Sequence, residues 1–147
     1  MKIYFETVID KNVESIKKNF TQDLFLALSP PGLRIKLEQF DGCKTGDIVH
    51  LKIQSFGLTQ TWMSRITEES NSDNQWFFVD EGVQLPWPLK SWKHVHRVKK
   101  INENQSAIID DITFSSGHHI LDIPLKPFLW LTFAVRPSRY RKFFEDK

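Results

Sequence analysis

Three side chains in this sequence have the types and spacing to do chemistry together: His94, His96 and Asp110. The two histidines stand at i and i+2 in Trp92-Lys93-His94-Val95-His96-Arg97-Val98, a segment that alternates strictly. Side chains on a strand point to opposite faces with a period of two, so Trp92, His94, His96 and Val98 share one face. After the polar turn Asn102-Glu103-Asn104-Gln105, Ala107 to Ser115 reads as the next strand. It sets Ile108, Asp110, Ile112 and Phe114 on one side. Several chemistries suit such a face. The plainest is a pair of half-buried histidines hydrogen-bonded to neighbours such as Asp110, because buried polar groups are paired. Another is the wall of an apolar cavity that needs a few oriented polar groups. A third is acid–base catalysis, in which a carboxylate fixes the tautomer of a histidine that moves protons near neutral pH. Glu38, Asp80 and Glu81 are further carboxylates, candidates only through their nearness to strands. Two histidines lack the third ligand that a metal ion needs, so no metal is assigned.

Other reactive types are less promising. Cys43 is the single cysteine, in a Gly42-Cys43-Lys44 turn with no base expected nearby, which argues against a nucleophile and excludes an internal disulfide. His118 and His119 are adjacent and read as loop residues. Trp62, Phe78, Trp92 and Phe114 either line a cavity or fill the core beneath a helix; aromatics bury large areas in both settings.

The elements that must position these residues follow from periodicity. Lys2 to Ile9 alternates as a strand, and Asp10 or Asn12 can cap a first short helix carrying Val13, Ile16 and Phe20. A second short helix, Asp23 to Leu28, ends at Ser29-Pro30-Pro31-Gly32. Strands are then expected over Leu33–Phe40, Asp47–Phe56, Leu58–Glu68 and Trp76–Val83, before the two strands above. Leu58, Gln60, Trp62, Ser64 and Ile66 are co-facial, and the polar stretch Glu68 to Gln75 reads as an exposed turn. From Leu125 the period becomes helical: Phe128, Leu129, Thr132, Phe133, Tyr140, Phe143 and Phe144 form one stripe. Pro124 and Pro127 suit its first turn, and Pro137 predicts a kink or break. The order predicts an α+β helix-grip fold spanning 1–147 as one domain. A curved seven-stranded antiparallel sheet would wrap a long C-terminal helix, with two short helices after the first strand.

The totals narrow the function classes. A net charge of +2 gives no case for nucleic acid. From Arg136 onwards five basic residues stand against two acids, a small basic tail. There Arg136, Arg139, Arg141 and Lys142 either complement the helix dipole or make weak contact with anionic membranes. No apolar run approaches a spanning length and no apolar leader precedes the first acid, which points to the cytoplasm.

The sequence resembles the SRPBCC (START-like) superfamily of helix-grip proteins, and within it the small bacterial ligand-binding members grouped with polyketide cyclases and dehydratases. The likeness rests on Leu28-Ser29-Pro30-Pro31, on Trp62-Met63-Ser64-Arg65-Ile66-Thr67, and on Phe78-Val79-Asp80-Glu81 leading into Trp92-x-His94-x-His96 with Asp110 beyond. It implies a cavity between sheet and helix and no cofactor. A small hydrophobic or amphipathic molecule, such as a lipid, isoprenoid or polyketide, would be the partner. Trp62, Phe78, Trp92 and Phe114 would then make apolar contact, and His94, His96 and Asp110 would orient a polar head. The alternatives are a cyclase- or dehydratase-like enzyme using His94 or His96 with Asp110, and a membrane-associated lipid carrier.

Overall fold

The computed structural model describes residues 1–147. One antiparallel sheet of seven strands runs in the spatial order β1-β7-β6-β5-β4-β3-β2. The strands are β1 (Lys2–Ile9), β2 (Arg34–Phe40), β3 (Ile48–Ser55), β4 (Leu58–Asn71), β5 (Gln75–Gln84), β6 (Ser91–Asn102) and β7 (Gln105–Ser115). Between β1 and β2 lie α1 (Val13–Lys18) and α2 (Gln22–Ala27); after β7 come α3 (His119–Ala134) and α4 (Arg136–Glu145). The sheet curves and grips the C-terminal helices, which is the helix-grip arrangement. No helix is long and apolar enough to cross a membrane.

Local chemistry explains most boundaries. Asn12 caps α1 by accepting from the Ser15 N–H at 2.8 Å, satisfying one of the free donors of the first turn. The β3–β4 hairpin turns on Phe56 and Gly57, both with positive φ (51° and 75°), the backbone a two-residue hairpin loop with native twist requires. The β6–β7 hairpin closes through the Asn102 side chain, which accepts from the Asn104 N–H.

Three expectations need correction. The stretch from Glu68 to Gln75 is not all turn: β4 continues to Asn71, with Glu69 opposite Phe78 and Ser70 opposite Phe77. A register shift between Ile66 and Glu68 breaks the alternation that would have revealed this. Pro124 and Pro127 lie inside α3 rather than in its first turn, because the helix starts at His119. That start is held by Asp122, which accepts from the Ser116 N–H at 2.6 Å and the Ser115 hydroxyl at 3.3 Å, clamping the helix to the end of β7. His118 and His119 therefore open α3, exposed, instead of lying in a loop. The break expected at Pro137 does occur: the stripe bends at Val135 into α3 and α4, where Pro137 removes the N–H that a continuous helix would give to the Phe133 carbonyl.

The buried apolar residues form two clusters. One gathers Ile16, Leu24, Trp76, Phe78, Tyr140 and Phe144 among others under α1, α2 and α4. The other gathers Ile3, Leu89, Trp92, Ile112, Phe114 and Leu129 under α3. Between them, the inward face of the sheet is polar.

Candidate functional site

The polar belt crosses three neighbouring strands at one level. On β6 the inward sequence is Trp92, His94, His96, Val98, so the apolar clusters own the ends and the histidines the middle. Register pairs His94 with Asp80 of β5, and His96 with Asp110 of β7. The break at Val135 then aims Arg136, the first residue of α4, down at the same level.

Asp110 is the hub. His94 Nε2 stands 2.8 Å from its Oδ1, and Arg136 Nη1 donates to the same oxygen at 3.0 Å. The Tyr140 hydroxyl also donates to Oδ1, at 3.4 Å, while accepting from Arg136 Nη1 at 3.3 Å. The Arg136 guanidinium lies 4.4 Å above the Phe133 ring, a cation–π contact on its other side. Burial alone would raise the Asp110 carboxyl. The Arg136 charge and the His94 hydrogen bond outweigh it and hold Asp110 well below the usual carboxylate range. His94 is pushed down to about 3, first by burial and then by the neighbouring His96. It is therefore neutral at pH 7. An ionised carboxylate only accepts, so Nε2 of His94 carries the proton and Nδ1 the lone pair.

Beyond His94 the rings stack. His94 and His96 have centroids 3.5 Å apart, and His96 lies flat on Phe78 at 4.3 Å with 10° between planes. His96 Nε2 is 3.8 Å from Asp80 Oδ2, and its Nδ1 is 3.8 Å from Asp110 Oδ1. Burial raises the Asp80 carboxyl, but His96 beside it more than offsets that and leaves it below its ordinary value. Several polar atoms here are buried without a partner: Asp80 Oδ1, His96 Nδ1, Ser64 Oγ and Asp110 Oδ2.

A cavity of about 380 Å³ opens above this belt, and 23 of its 36 lining residues are hydrophobic, so its body is apolar. Trp62, Phe78, Trp92, His94 and His96 line it as the sequence suggests. Asp110 and Phe114 do not. β7 is covered by the helices, so Asp110 acts on the cavity only through His94 and Arg136, and Phe114 is core. Of the three further carboxylates Asp80 reaches the cavity; outside the sequence-derived candidates, Ser64 and Arg136 reach it too, and Tyr140 supports Asp110 from behind. Asp80 shares the inward face of β5 with Trp76 and Phe78, a period-two signal present in the sequence. Arg136 is not part of an exposed tail: its side chain is 13% exposed and committed to Asp110. Arg139 donates to the Ala27 carbonyl at 3.1 Å, leaving Arg141 and Lys142 as exposed basic residues. Glu38 and Glu81 stand outside the cavity, Glu38 beside Lys36.

Asp80, His94 and His96 bring three potential ligand atoms within 4.8 Å of one another. The imidazoles are stacked with only 27° between their planes, so their lone pairs run side by side and do not converge on one point. With His94 Nε2 also engaged by Asp110, the arrangement serves hydrogen bonding and proton holding better than metal chelation. Cys43 lines the cavity rim; burial pushes its thiol up to about 12, so it is no nucleophile.

These features place the chain in a class defined by fold: it has the helix-grip architecture of SRPBCC proteins. Protein-family models give no match to the sequence, and neither do curated proteins. Solved structures do match. Protein Ms6760 from Mycobacterium smegmatis superposes with a TM-score of 0.67 at 12% identity, over 99% of this chain and 91% of that one. The Zhui aromatase/cyclase from Streptomyces sp. R1128 gives 0.63 at 10% identity, over 94% and 92%. Norcoclaurine synthase from Thalictrum flavum, solved with dopamine and hydroxybenzaldehyde, gives 0.63 at 12% identity, over 95% and 85%. At such identities the likeness is one of fold.

Proposed function

We propose that this protein binds one small, largely hydrophobic molecule in the cavity between the sheet and α3. The carrying observation is the cavity itself: about 380 Å³, apolar walls, and a cluster of buried polar groups at one end. That size and composition are those of small-molecule sites. The apolar body would lie against Trp62, Phe78 and Trp92, and its polar end would meet His96 and Asp80. Asp110 and Arg136 hold His94 in one tautomer, which in turn props His96. Lipids, isoprenoids and polyketides all have suitable apolar bodies.

The test is a titration with N-phenyl-1-naphthylamine, a neutral dye that brightens in apolar surroundings. Saturable binding of one dye per chain is the expected result. The Ile53→Trp variant places bulk on the half-buried cavity wall and should lose the binding while keeping its fold. No saturable signal, or equal binding by the filled variant, refutes the reading.

A second reading is supported by His96, whose Nδ1 is unpartnered and whose two ring nitrogens each lie 3.8 Å from a carboxylate, Nδ1 from Asp110 and Nε2 from Asp80: acid–base catalysis on the bound molecule, as in a cyclase or dehydratase. His94, pushed down to about 3, is too weak a base for it, so His96 would move the proton and His94 would position. His96→Gln would then abolish turnover of a candidate polyketide while leaving dye affinity within about threefold; unchanged turnover sinks this reading.

A further inference from the structure

The donors and acceptors at the polar end of the cavity do not balance. Arg136 is the one fixed cation, and its Nη1 is already shared by Asp110 and Tyr140. Against it stand two carboxylates, Asp110 and Asp80. Asp80 Oδ1 is buried and accepts nothing within the chain, and Ser64 Oγ beside it is equally unpartnered. An ionised carboxylate has only acceptors, and a buried acceptor left unmade is costly. Ser64 satisfies one lone pair at most. From this imbalance we infer that the bound molecule ends in a hydrogen-bond donor, a hydroxyl, phenol or ammonium, seated on the Asp80 carboxylate, whose side chain reaches the cavity. The inference rests on the cavity being a ligand site. A buried arginine at a pocket commonly signals an anionic ligand; here the opposite holds, because Asp110 has taken that charge and Asp80 repels a second carboxylate.

Three molecules of matched shape decide the matter: 4-hexylphenol, 4-hexylbenzylamine and 4-hexylbenzoic acid, each displacing N-phenyl-1-naphthylamine at pH 7.5. The phenol and the amine should compete at least tenfold better than the acid. Asp80→Asn should weaken the amine most and shrink the gap to about threefold. Benzoate binding as tightly as the phenol and the amine in the wild-type protein overturns the donor assignment, with no variant needed. Dye binding with a flat or reversed order overturns this inference alone; failure of the dye itself to bind removes the cavity reading instead.

A different observation carries a second proposal, independent of what fills the cavity. α3 is apolar on every side. Its inner face packs Leu129 and Phe133, yet its outer face shows Ile120 at 81% exposure, Leu131 at 63% and Ile123 at 56%. Phe128 joins that face to the cavity mouth, where Phe56 and Trp87 stand at 98% and 77% on loop tips. The exposed charges next to this face are basic: Lys126 on α3 and Lys90 before β6, while the one acid within α3, Asp122, is buried; Lys36, farther off on β2, is paired with Glu38 at 3.6 Å. Apolar side chains flanked by cations and free of exposed acids suit the interface of an anionic bilayer. We propose that α3 and the cavity mouth dock on such a membrane, in place of the C-terminal basic residues.

Co-sedimentation with vesicles of phosphatidylcholine alone, or with 30% phosphatidylglycerol, tests this at 50 and 500 mM salt. Binding should require the anionic lipid, weaken at high salt, and fall at least tenfold in Ile120→Asp/Leu131→Asp, whose side chains are exposed. Arg141→Glu/Lys142→Glu should leave it unchanged. Absence of vesicle binding, or loss only in the tail variant, overturns the proposal. So does a self-associated protein that the Ile120→Asp/Leu131→Asp change makes monomeric, since a second copy would then cover α3.

Discussion

Asp110→Asn is the sharpest perturbation of the site, because it is isosteric and removes only charge. Asp110 is 1% exposed, and its Oδ1 receives His94, Arg136 and Tyr140 at 2.8, 3.0 and 3.4 Å. Asparagine keeps one acceptor for His94 but presents no charge to Arg136, whose guanidinium stays in place over Phe133. Breaking a buried ion pair by deleting one member costs about 3–5 kcal/mol, since the other charge is left uncompensated. For a chain of this size, each kcal/mol lowers Tm by about 2–4 °C, so the variant should melt roughly 10–15 °C below the parent. Replacing Arg136 with Met as well removes the stranded cation and keeps an apolar contact on Phe133. The double variant should therefore be no less stable than Asp110→Asn alone, with a coupling of about 2 kcal/mol in the double-mutant cycle. Urea unfolding followed by circular dichroism reads all four proteins. A loss below about 1 kcal/mol for Asp110→Asn, or additive losses in the cycle, would refute the claim that Asp110 neutralises Arg136.

Acidification should destabilise the fold in two stages. The folded value of His94 is depressed to about 3 against 6.5 for the free side chain, so its contribution is complete above about pH 6.5 and is lost as pH falls, because the unfolded chain takes up a proton the folded one refuses. Stability should drop by about 1.4 kcal/mol per pH unit between pH 6 and 4 from this group. Below about pH 4 the depressed carboxyl of Asp110 adds a second loss of the same sign. His94→Gln should flatten the first stage and leave the second; an unchanged slope between pH 6 and 4 would show that His94 titrates normally. Cys43, with its thiol pushed up to about 12, should react with bromobimane at pH 8 about a thousandfold more slowly than in the urea-unfolded chain, and comparable rates would contradict its burial. Asn12→Ala should cost about 1 kcal/mol by removing the α1 cap; no change in the urea midpoint would show that solvent replaces that bond.

Alternation along single strands was enough to place Trp92, His94 and His96 on one buried face and Asp110 on the facing side of β7, and the order of elements was enough for the helix-grip fold. Those are local properties: period two, turn residues, and proline positions act within a few residues of themselves. The stretch after Glu68 shows where that logic stops, since a register shift between Ile66 and Glu68 hid the last three residues of β4. What the polar belt does depended on partners distant in the chain. Arg136 reads in sequence as one more basic residue near the C-terminus. Only the break at Val135, and the packing of α4 across the sheet, delivers it to Asp110, 26 residues away. The same packing covers β7, which moves Asp110 and Phe114 off the cavity wall and leaves Asp80, in sequence only one of several carboxylates near a strand, as the carboxylate that lines it. Charge pairing and cavity lining are set by distances between elements, and no periodicity along one element encodes them.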